Sequence, residues 1–163
     1  MILFYTRKDF SDRRGWKTRR WEHAFAEKDM IGIFAPSVYE RLTSYKFVRY
    51  ESTIVHETCH VYYMNIVHNF TPKWLAEGLA TNLEPYDYGW SGKPRVDYLY
   101  FMRIPFGEDE LEFYRSGYLI TRMLIRKLGM KRLMSLIREY ARKPVKTNYE
   151  RLFDKFVYAK NTD

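Results

Sequence analysis

With 163 residues, the chain has room for one domain with a real hydrophobic core, and its 46% hydrophobic and 18% aromatic content excludes a disordered protein. No stretch approaches the roughly twenty apolar residues that span a bilayer. A single cysteine rules out an internal disulfide and fits a reducing compartment, while a net charge of +8 admits contact with nucleic acid or another polyanion.

In chain order, residues 1–6 read as a strand. Residues 1–5 lack the basic start and long apolar region of a signal peptide, so the expected setting is cytoplasmic, with no membrane partner. Arg7, Lys8, Arg13, Arg14, Lys17, Arg19 and Arg20 then crowd one stretch, and Lys143 and Lys146 flank Pro144 much later. Trp16 and Trp21 lie among these arginines and could stack on bases. No recognised nucleic-acid module accompanies the charge, so a solvated basic surface is the simpler expectation. The shared apolar face of Trp21, Ala24 and Phe25 predicts a helix over 16–28. Met30–Phe34 reads as a second strand, stopped by Ala35 and Pro36.

Ile54, Val55, Val61, Tyr62, Met64 and Ile66 make an almost wholly apolar segment, which predicts a core helix over about 50–67. Thr71 as N-cap and Pro72 at the first helical position open the next helix, which carries Trp74, Leu75, Glu77, Leu79 and Leu83. Residues 85–107 are rich in Tyr, Gly and Pro and read as a long loop with a short strand at 98–102. Beside a functional site, such a loop can form a substrate wall or lid. Three helices follow: 108–128 closed by Gly129, 130–142 closed by Pro144, and 148–158. With no linker or repeat to divide it, the chain reads as one α+β domain over 1–163, mostly helical, with a small N-terminal sheet.

Chemistry concentrates in His56-Glu57-Thr58-Cys59-His60, an H-E-x-x-H motif on the helix over 50–67. Residues four apart lie on one helical face about 6 Å apart along the axis, so His56 and His60 can grip one metal ion. Glu57 sits roughly 100° further round, too far to replace a histidine but placed to act as base on a water at an open coordination position. Two histidines and a glutamate in an apolar helix are costly to bury unless a metal or hydrogen bonds compensate them. In the next helix, Glu77 would supply a third ligand and leave the fourth position open, the arrangement of catalytic rather than structural zinc. His68, eight residues beyond His60, is a rival third ligand, although the helix end near Pro72 favours Glu77. Cys59 points roughly 100° away from His60 and reads as a small apolar residue.

These residues resemble the gluzincins, the thermolysin-like class of zinc metallopeptidases. Within that class they are similar to the small peptidase-MA-like domains, whose pattern reads H-E-x-x-H and then Trp-Leu-x-Glu-Gly-Leu-Ala, as in Trp74-Leu75-Ala76-Glu77-Gly78-Leu79-Ala80. The match runs over about 53–83, with a weaker similarity over 114–141. The resemblance implies a zincin-like domain that hydrolyses peptide bonds in a peptide or protein substrate, with His56, His60 and Glu77 as Zn2+ ligands and Glu57 as general base. It also implies an oxyanion-stabilising residue where Tyr114 stands, four residues from Tyr118; a packing role for Tyr114 is equally open. Enzymes of this class commonly hold extended substrate along an edge strand. Gly32, Ile33 and Phe34 are the candidates, with an interior strand of a small sheet as the alternative.

The pattern departs at one position. Thermolysin-like enzymes often place an Asp four residues after the ligand Glu to hold a histidine, and here that position is Thr81. Two other functions stand beside peptide hydrolysis: a zinc-bound but proteolytically idle scaffold, and a metalloprotease directed to DNA-bound proteins through the basic N-terminal face. The tail over 148–163 is a candidate for folding back into the cleft and making the enzyme latent, with ordinary packing as the simpler expectation.

Overall fold

The computed structural model describes residues 1–67, 72–94, 110–142 and 151. Within them the protein is mixed α+β and mostly helical, with a three-stranded sheet towards its N-terminus. The described residues divide into two compact units. One comprises Met1–Asn65 with Leu83–Tyr86, the other Ile66–Asn82 with the residues from Asp87 onward.

In the first unit the elements are β1 (Ile2–Phe4), α1 (Arg7–Arg14), β2 (Ala24–Glu27), β3 (Met30–Phe34), α2 (Tyr39–Leu42) and nearly all of α3 (Tyr50–Ile66). The sheet order is β1-β3-β2, with β3 parallel to β1 and antiparallel to β2. Glu27 pairs with Met30, so only Lys28 and Asp29 form the hairpin loop. The helix expected over 16–28 is therefore corrected to a strand over Ala24–Glu27. Phe25 is its one fully buried residue, and its ring lies 5.5 Å from Phe10 and 6.0 Å from Phe4. An alternating strand puts that single ring into the core, whereas a helical face would have needed Trp21 and Ala24 beside it. The helix of this region is α1. Thr6 caps it by accepting the Asp9 N–H at 3.1 Å, and Gly15 ends it at φ 79°.

Phe4, Phe10, Phe25, Ile33, Phe34, Ala35, Val38, Tyr39 and Tyr50 form the core of this unit. Phe10 stacks on Phe34 at 4.6 Å and meets Phe4 edge-on at 5.2 Å. Each such pair contributes about 0.5–1.5 kcal/mol beyond its area burial. Two hydrogen bonds tie α3 to this sheet. The Tyr50 hydroxyl donates to the Phe34 carbonyl at 3.0 Å, and at the other end the Asn65 amide donates to the Lys28 carbonyl in the hairpin loop. The expectation of a helix over 50–67 holds to within one residue. The helix lies in the core on one side only: Tyr50, Ser52, Thr53 and Tyr63 are buried, Ile54 and Val55 are half-buried, and Tyr62 is exposed.

The second unit contains most of α4 (Lys73–Leu83), α5 (Glu110–Leu128) and α6 (Met130–Arg142). Trp74, Leu75, Leu79, Ile120, Leu124, Leu133 and Ile137 are buried here. Helices α4 and α5 cross at Gly78 and Gly117, where a methyl on Gly78 would overlap the Thr121 hydroxyl and the Gly117 carbonyl. The Asn82 amide bridges the same pair by donating to the Gly78 and Tyr118 carbonyls. Gly129, at φ 74°, ends α5, and α6 starts at the next residue. No helix among the described residues is long and apolar enough to cross a membrane. The expected N-cap Thr71, the rival ligand His68, the strand over 98–102, the helix over 148–158, the tail beyond it, and Lys143 and Lys146 lie outside the described residues.

Candidate metal centre

One turn of helix separates His56 from His60 on α3, and their rings meet edge to face with centroids 4.8 Å apart. Their Nε2 atoms converge to 3.1 Å. Two nitrogens held by one zinc ion in tetrahedral geometry stand about 3.3 Å apart, so the observed pair is close to the spacing that chelation requires. The other side of the His56 ring is occupied as well. Its Nδ1 lies 3.3 Å from Oε1 of Glu84, a carboxylate whose side chain is 2% exposed.

Glu77 lies on α4 and is 9% exposed. His56, His60 and Glu77 form a group that could hold a metal ion: each offers one ligand atom, and these atoms all lie within 4.8 Å of one another. Two imidazoles and a carboxylate are the donor set of zinc and its first-row neighbours, so the residues fit a divalent cation of that kind. Cys59, half-buried on α3, is not part of the group. Glu57 is half-buried on the same helix, next to His56 in sequence and at a different angle around the axis.

No family model matches this chain, and no curated protein or solved structure matches it either. Function is therefore read from the chain's own geometry.

The substrate-strand expectation is corrected. Gly32, Ile33 and Phe34 lie on β3, the central strand, where Gly32 pairs with both Ile2 and Phe25. A peptide cannot be added to a strand whose two edges are already engaged. Gly32 has a different reason to be glycine: the Phe25 ring lies where its Cβ would be. Tyr114 is half-buried on α5, beside Phe113, with the Lys73 ammonium 6.0 Å from its ring centroid.

Part of the basic N-terminal stretch makes contacts within the first unit, although most of its residues remain exposed. Arg7 donates to the carbonyls of Arg19, Glu22 and Leu42 and lies over Phe34, and burial pushes its pKa down. Arg20 donates to the carbonyls of Arg41 and Thr43, Arg13 pairs with Glu27, and Lys8 pairs with Asp12. Arg14 covers one face of Trp16, whose indole N–H donates to Glu22, and the ring stays 51% exposed. Lys17 and Arg19 are exposed.

Two residues of this neighbourhood escaped the sequence reading. Glu84 carries a weak signal, since seven residues after Glu77 it continues the same helical face. His23 carries none. It is half-buried beside Thr53 of α3, with Nδ1 donating to the Trp21 carbonyl at 2.6 Å and Nε2 3.3 Å from Thr53 Oγ1. Burial pulls its pKa down to about 4, against the upward pull of the Trp21 hydrogen bond, so the ring is neutral at pH 7.

Proposed function

We propose that this chain is a zinc-dependent peptidase of the gluzincin type, with a zincin-like arrangement of H-E-x-x-H helix and downstream glutamate. One observation carries the reading: His56 Nε2 and His60 Nε2 converge at 3.1 Å in a group that Glu77 completes. His56, His60 and Glu77 would hold the ion, leaving one position of a tetrahedral shell open. A zinc ion bound there supplies Lewis acidity, polarising a carbonyl and making water more acidic. Glu57, too far round the helix to be a ligand with its neighbour His56, takes the proton of the attacking water and delivers it to the departing amine nitrogen. Tyr114 would donate its hydroxyl proton to the carbonyl oxygen as negative charge grows there. The substrate is a peptide or protein, and the single cysteine is compatible with work in a reducing compartment such as the cytoplasm.

The deciding experiment is metal content per chain, in protein purified without added zinc and again after zinc is supplied, for wild type and Glu77→Ala. One zinc per wild-type chain, with weakened binding in the variant, is the expected outcome. No zinc in wild type under either condition would end the reading. Zinc without hydrolysis of any peptide or protein substrate would instead point to the idle scaffold.

A further inference from the structure

We propose that Glu84 is the residue that orients His56 for the ion, by accepting the proton of its Nδ1. The inference rests on the metal site proposed above and adds a positioning residue to it. The pattern leaves this role vacant at Thr81, whose hydroxyl donates at 2.8 Å to the Glu77 carbonyl in its own helix and is thereby engaged locally.

Glu84 has an unusual place for a carboxylate. Among the described residues, the buried acids are Glu77 and Glu84. Helix α4 ends at Leu83, so Glu84 is the first residue past a helix C-terminus, where the exposed carbonyls carry partial negative charge. A carboxylate there is opposed both by desolvation and by the helix dipole. A donor must offset these costs, and His56 Nδ1 stands 3.3 Å from Oε1.

The consequence for His56 follows from counting protons. A neutral imidazole carries one N–H. With that proton on Nδ1 and directed at Glu84, the lone pair is on Nε2, and Nε2 is the atom that faces His60. Glu84 therefore selects the tautomer that can ligate and fixes the ring plane around it. Such a partner also raises the basicity of the ligating nitrogen.

The test uses the full chain and zinc as the probe, with affinity measured by competition against a chelator. Glu84→Ala is expected to weaken zinc binding by roughly 10–100-fold, and Glu84→Gln, which keeps a neutral acceptor, by less. Histidine ring nitrogen shifts in the NMR spectrum of the zinc-loaded protein supply a second readout. In wild type, His56 should carry its proton on Nδ1, and in Glu84→Ala that proton should lose its hydrogen-bonded shift. Wild-type affinity in both variants, or an unchanged Nδ1 proton signal in Glu84→Ala, would overturn the proposal. Loss of stability in the metal-free variants with zinc affinity intact would mean that Glu84 serves the fold alone. If wild type takes up no zinc, the metal site itself fails and this inference goes with it. Uptake by wild type with Glu84→Ala unaffected leaves the site standing and removes only Glu84.

Discussion

Two histidines of the first unit, His23 and His56, make nearly the same contact on one side of the ring and opposite contacts on the other. Each presents Nδ1 to an oxygen, the Trp21 carbonyl for His23 and the Glu84 carboxylate for His56. His23 Nε2 then meets the Thr53 hydroxyl inside the core, whereas His56 Nε2 meets a second imidazole nitrogen. The first ring is closed off and kept neutral by burial; the second shares a vertex with another donor. What faces the second nitrogen separates a histidine satisfied within the fold from one placed to accept a metal ion, and the two meet α3 within one turn, at Thr53 and His56.

Metal content breaks this comparison most directly. His60→Ala should lose bound zinc altogether, from about one ion per chain to none, while His23→Gln keeps it. Equal zinc in wild type and His60→Ala would show that the convergent nitrogens are no metal site. The next effect is catalytic. Glu57→Gln should retain zinc and fold yet lose turnover by roughly 10²–10⁴-fold in peptide hydrolysis, because the general base is gone and the ligands are not. Full activity in that variant would remove Glu57 from the reaction.

The smallest effect is on stability, and it belongs to His23. Its pKa in the folded chain is about 4, below the ordinary 6.5 that it regains on unfolding. Between those values the unfolded chain binds the extra proton and the folded chain does not, so stability rises with pH across the window. His23 should contribute about 3 kcal/mol that is present above pH 6.5 and lost as the pH falls towards 4. Denaturant titrations across this range should show the slope in wild type and a flatter one in His23→Gln. Equal slopes would mean that His23 is not buried as a neutral ring.

The candidate metal group was legible because ligand spacing on a helix is a property of the chain itself: His56 and His60, four positions apart, share one face whatever surrounds them. The C-terminal helices were legible for a similar reason, since Gly129 marks the joint that α5 and α6 use. Other features depend on partners distant in sequence. Ala24 and Ala26 offer no polar contrast with Phe25, so the sequence carries no strand alternation here, and the pairing of Phe25 with Gly32 across the hairpin is a property of the fold alone. The basic stretch read as a solvated surface, with nucleic-acid contact as the alternative, and the backbone carbonyls that accept from Arg7 and Arg20 leave no trace in a sequence. Glu84, the residue proposed to orient His56, was hard to read because it stands seven residues after Glu77, just beyond the helix end, and its contact with His56 leaves no trace in a sequence.

The two ties on α3, from Tyr50 to the end of β3 and from Asn65 to the hairpin loop, have a consequence for how the protein is loaded. The helix that carries both histidines is anchored by aromatic packing and backbone acceptors that involve neither His56 nor His60. In this the chain is unlike a zinc finger, whose fold is created by its ion. A divalent cation at the proposed site should therefore be exchangeable: a chelator should remove it and leave the first unit folded.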